Sequence, residues 1–94
     1  MNVVWSRRAI GNLTALRDYI AEDNPRSAAT VARQILAAVE LLAAQPHMGR
    51  PGRIAGTREL VVPGTPYVIP YWVRRDRLEL LAIFHGRQRW PEKL

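Results

Sequence analysis

The chain has 94 residues, a formal net charge of +6 and no cysteine, with 48% hydrophobic and 23% charged residues. That suits one domain around one core, and the apolar content excludes a disordered chain. No disulfide framework, thiolate nucleophile or cysteine metal site can be built, and His47 and His85 lack ligand-spaced companions, so neither a metal nor a cofactor is expected.

The opening Asn2-Val3-Val4-Trp5 predicts a short strand, and Ser6 is placed to cap a following helix. Charge arrives at Arg7 and Arg8, too early for a signal peptide. Ile10, Leu13, Leu16, Tyr19 and Ile20 recur at helical spacing and predict one apolar stripe, with Gly11 a local weakness. This helix is expected to stop near Glu22 or Asp23. Asn24-Pro25 then starts a second helix, because asparagine caps well and proline suits the first helical turn. It is expected to run to about Ala44, burying Ala28, Val31, Ala32, Ile35, Val39 and Leu42, with Leu36 and Leu41 widening the face. So short a connection forces an antiparallel helical hairpin. The longest apolar run, ILAAVELLAA, contains Glu40 and is too short to cross a bilayer, so no membrane partner and a cytoplasmic location are expected.

Pro46 ends the second helix, and PHMGRPGRIAG reads as a loop. Three strands follow: Thr57–Pro63, Tyr67–Arg74 and Arg77–His85, joined at Gly64-Thr65-Pro66 and Arg75-Asp76. Connections this short predict an antiparallel meander. Pro70 falls inside the middle strand, where its missing N–H predicts a bulge. In the last run, strict alternation turns Leu78, Leu80, Ala82 and Phe84 to one face and Leu81 and Ile83 to the other. The expected fold is a single α+β domain over residues 1–94, β-α-α-β-β-β, with the hairpin on one sheet face. The other face is expected to receive a partner rather than the polar tail at 86–94.

Charge is uneven. Residues 46–94 hold nine basic and four acidic side chains, whereas residues 1–45 hold five and four. Thirteen of the fourteen basic residues are arginine, whose fork suits phosphates and carboxylates. The basic half therefore predicts nucleic acid or an acidic protein segment as partner.

Several motifs now line up in order: DYIAEDNPRSAA at 18–29, LLAAQP at 41–46, GRPG at 49–52, TREL at 57–60, PYVI at 66–69 and HGRQRWP at 85–91. Together they resemble the RelE/ParE superfamily of bacterial type II toxins, most closely ParE and its plasmid-stabilisation relatives. The resemblance implies a growth-arresting toxin neutralised by a ParD-like antitoxin whose acidic, disordered C-terminal segment folds onto it. Two activities occur in the superfamily. ParE-like members poison DNA gyrase without cleaving bonds, and RelE-like members cut messenger RNA on the ribosome. The single lysine, the long helical hairpin and the GRPG and TRELVV wording resemble the gyrase class. For target binding the choices are Arg58, Arg87, Arg89 and Trp90, then Arg50 and Arg53. For antitoxin binding they are Leu81, Ile83 and Trp72. A ribonuclease would draw on His85 as acid–base group, Glu59 as base, and Arg58 and Arg74 for phosphate. Tyr67 and Tyr71 are further possible donors. A plain nucleic-acid-binding module is a third reading, weakened because the aromatics do not form paired stacking motifs.

Overall fold

The computed structural model describes all residues, 1–94. Its elements in chain order are β1 (Asn2–Trp5), α1 (Arg7–Asp23), α2 (Pro25–Ala44), β2 (Arg50–Pro51), β3 (Arg58–Val61), β4 (Tyr67–Val73), β5 (Arg77–Leu80) and β6 (Phe84–His85).

Local chemistry explains the hairpin. Ser6 Oγ accepts the Ala9 N–H at 3.0 Å and caps α1. Asn24 serves both helices. Its N–H donates to Ile20 O at 2.9 Å, closing α1, and its Oδ1 accepts the Ser27 N–H at 3.1 Å, opening α2. Having one residue finish one helix and start the next leaves no slack, so the helices fold back on each other.

The sheet order is β1-β5-β4-β3-β2, with β6 also on β4. β4 pairs antiparallel with β3, β5 and β6, as the short turns require. β1 pairs parallel with β5, so the sheet is mixed rather than wholly antiparallel. The long connection between them, the helical hairpin followed by β2, β3 and β4, supplies the crossover that parallel pairing needs. Arg50 and Pro51, expected in a loop, form a two-residue strand against Glu59 and Arg58.

Pro70 itself is regular: it pairs with Glu59 in an unbroken β3–β4 register. The irregularity lies in its partner. Tyr71 pairs with Leu80 and Val68 with Phe84, so Ile69 and Pro70 oppose three residues, Leu81, Ala82 and Ile83. The bulge therefore sits across from the proline, where the ladder lacks its donor. Side chains from the first helix region take over the freed groups. Ser6 Oγ donates to Leu81 O at 2.9 Å, and Asn12 Oδ1 accepts the Ile83 N–H at 2.9 Å.

The extra residue reverses the alternation beyond it. Ile83 turns under the helices and joins a core of Ile35, Val39, Leu42, Ile69, Tyr71, Leu78 and Leu80, among others. Phe84 turns outward and meets the tail, with its ring 4.8 Å from that of Trp90. The outer face is thus partly shielded by the tail, contrary to expectation. α1 also departs from its predicted stripe. Ala9 is fully buried, whereas Ile10 and Tyr19 are exposed. On α2, Leu36 and Leu41 are exposed rather than buried. α2 is long and apolar enough to cross a membrane by composition alone, but its Ala28, Ile35, Ala38, Val39 and Leu42 are buried inside the fold.

Candidate functional site

The loop from α2 to β3 is built around Tyr71. Its hydroxyl donates to Pro46 O at 2.8 Å and accepts the Gly49 N–H at 3.0 Å. Gly49 is obligatory because a Cβ there would lie 2.5 Å from the Tyr71 hydroxyl. Burial pushes the Tyr71 phenol up, so it stays protonated as a donor. Arg58 clamps the same loop, donating through Nη1 to Gly49 O at 2.8 Å and His47 O at 3.2 Å.

Behind this loop, on the outer sheet face, Glu59 is only 3% exposed. It accepts from Arg50 Nε and Nη2 at 3.1 and 2.9 Å. It also accepts from the Arg53 main-chain N–H at 2.8 Å and from Arg53 Nε and Nη2 at 3.0 and 3.3 Å. Burial by itself raises the carboxyl. The Arg53 main-chain N–H and the Arg53 and Arg50 side chains outweigh it and hold Glu59 below the usual range. A carboxylate held this way is a structural anchor and a poor base.

Two arginine–tryptophan stacks flank that anchor. The Arg53 guanidinium carbon lies 3.5 Å from the centroid of Trp90, whose other neighbour is Phe84. Trp90 Nε1 is buried without a hydrogen-bond partner. Arg74 stacks on Trp72 at 3.7 Å and approaches Glu79 at 3.5 Å. The Trp72 indole N–H donates to Glu79 Oε1 at 2.6 Å, and it is the main influence holding that carboxyl below its ordinary range.

The arginines chosen from sequence therefore divide. Arg50, Arg53, Arg58 and Arg74 are engaged in internal contacts. Arg87 and Arg89 are exposed and their guanidiniums make no hydrogen bond or ion pair within the protein. Leu81 is half-buried on the bulge. Trp72 is half-buried under Arg74, and Ile83 at 4% exposure offers no surface. His85 closes β6. Its Nδ1 accepts the Arg87 N–H at 3.1 Å and its ring meets Tyr67 edge-on at 5.9 Å.

These groups are not brought to one point. His85 pairs with Tyr67 and Arg58 with Tyr71, four residues along β4, about 13 Å apart at strand rise. Glu59 lies on the outer face, whereas Tyr67 packs against the core under the helices. Sequence reasoning missed a second set of residues beside His85. Asn12, Tyr19 and Gln88 line a notch with Tyr67 and His85. Nothing in their spacing announces it, since they come from α1 and the tail.

The family described as the ParE toxin of type II toxin–antitoxin systems, parDE, matches residues 3–90. This chain belongs to the ParE toxin family. Y4kP of Sinorhizobium fredii is 47% identical over 90 residues, covering 96% of this chain and 93% of that protein. Toxin RelE2 of Caulobacter vibrioides is 42% identical over 84 residues, covering 89% and 93%. A chain from the chromosomal ParDE toxin–antitoxin system of P. aeruginosa superposes with a TM-score of 0.80 at 28% identity, covering 90% of this toxin and 95% of that chain. The protein is thus the toxin of a type II pair and has an antitoxin partner. The family's α+β fold with an N-terminal helical hairpin is the one observed.

Proposed function

We propose that this toxin arrests growth in the cytoplasm by poisoning DNA gyrase, and that its ParD-like antitoxin neutralises it with an acidic, disordered C-terminal segment. The carrying observation is the state of Glu59. All five of its hydrogen bonds go to Arg50 and Arg53, so it is not free to accept a 2′-hydroxyl proton. His85 stands apart from Glu59, Arg58 and Arg74, so the base and the phosphate-holding arginines that a ribonuclease would draw on do not gather with it around one reacting atom. A binding poison needs no such constellation. It needs an exposed contact surface, and Arg87 and Arg89 beside the Trp90 stack supply one. The same cationic half speeds encounter with an acidic segment.

Purified toxin is expected to inhibit gyrase supercoiling and to accumulate cleaved DNA. Primer extension on translated messages is expected to stay clean. Codon-linked cuts that disappear in His85→Ala would reverse the assignment in favour of a ribosome-dependent ribonuclease. Salt-sensitive RNA binding without growth arrest would instead favour a nucleic-acid-binding module.

A further inference from the structure

Asn12, Tyr19, Tyr67, His85 and Gln88 surround a notch of about 340 Å³ between α1 and the β4–β6 end of the sheet. Three of these side chains have their acceptor ends already taken by main-chain N–H groups. Asn12 Oδ1 accepts from Ile83 at 2.9 Å. Gln88 Oε1 accepts from His85 at 2.8 Å. His85 Nδ1 accepts from Arg87 at 3.1 Å. These bonds fix which end is which, because a main-chain N–H can only donate. They leave Asn12 Nδ2, Gln88 Nε2 and the His85 Nε2–H as donors with no partner in the fold. Two phenols complete the ring. Burial, and then the neighbouring Tyr19, push the Tyr67 phenol up, so it too keeps its proton. Leu16 and Ile83 form apolar walls, and no charged side chain lines the notch.

We propose that this notch is a carboxylate-recognition site that takes an Asp or Glu side chain of an acidic protein segment. A lining whose unpartnered polar groups can all donate favours an acceptor-only group, and an ionised carboxylate is the common side chain of that kind. Uncharged donors with apolar walls suit one singly charged carboxylate entering from a polypeptide. A phosphodiester strand would draw on the arginines, and none lines the notch. The net charge of +6 brings an acidic segment to the surface, and the notch then reads one residue of it. This rests on the proposal that the antitoxin segment is acidic.

The test is an NMR titration of isotope-labelled toxin with a tetraglutamate peptide, a tetraglutamine peptide and hexauridylate. Tetraglutamate is expected to shift the side-chain amides of Asn12 and Gln88 and the His85 ring, and tetraglutamine is not. Gln88→Ala combined with Tyr19→Phe, both at exposed positions, is expected to weaken tetraglutamate binding by at least about tenfold, since each variant removes one donor and one charge-assisted hydrogen bond alone is of that size. Equal shifts from both peptides, or shifts confined to arginine side chains, would overturn the inference. Hexauridylate moving the notch where tetraglutamate does not would assign it to nucleic acid instead. Growth arrest rescued by the neighbouring gene, with a silent notch, sinks this inference and leaves the toxin–antitoxin proposal standing. An acidic antitoxin tail would then be docking elsewhere.

Discussion

Arg53 joins Trp90 to Glu59: its guanidinium lies 3.5 Å over the indole while its Nε bonds the carboxylate at 3.0 Å. One side chain thus fastens the C-terminal tail to the middle of the sheet. An Arg53→Ala, Trp90→Ala double-mutant cycle is expected to show a coupling of about 0.5–1 kcal/mol in denaturant unfolding. Additive single effects would mean that the stack contributes nothing.

Glu59 is expected to make stability fall in acid. Its folded pKa lies below its unfolded one. Its contribution is therefore complete above the unfolded carboxylate value and is lost as pH falls through the folded one. Glu59→Gln is expected to lower stability by about 2 kcal/mol at neutral pH, and to flatten the decline of Tm between about pH 5 and pH 3. Thermal unfolding of both proteins across that range checks the sign.

Tyr71→Phe removes one donor and one acceptor from the Pro46–Gly49 loop. The expected cost is about 1–3 kcal/mol, because the groups left behind are shielded from water. Gly49→Ala is expected to destabilise the same loop by steric conflict with the tyrosine ring. Urea midpoints compared for the two variants measure both effects.

The bulge makes a directional prediction about packing. Ile83→Ala is expected to cost about 2–4 kcal/mol, as for a core site. Val61→Ala, at an exposed position, is expected to change stability by less than about 0.5 kcal/mol. Were Ile83 on an open face, its substitution would be as mild as that at Val61.

Arg87→Ala and Arg89→Ala leave every internal ion pair in place. Each is expected to raise the toxin concentration needed for gyrase inhibition by about tenfold, the size of a hot-spot loss, without moving Tm. Unchanged inhibition in both would remove the tail from the target surface.

Much of the fold was legible because its signals are local. Ser6, Asn24 and Pro25 act within one turn of themselves, so the helical hairpin could be read directly from the chain. Turn chemistry did the same for the β3–β4 and β4–β5 connections, and counting gave the excess of arginine in the second half. What the sequence could not reveal depends on residues far apart. Pro70 pointed to an irregularity, but only strand pairing placed the extra residue at Leu81–Ile83 and so turned Ile83 inward. Arginine count likewise said nothing about which guanidiniums are occupied. Glu59 captures Arg50 and Arg53, Trp72 holds Arg74, and Arg87 and Arg89 are left free. Local chemistry along the chain set the helices, the turns and the sign of the surface. The tertiary structure decided which charges stay available and where uncharged donors converge, because those outcomes depend on contacts between α1, the sheet and the tail that no short window of sequence contains.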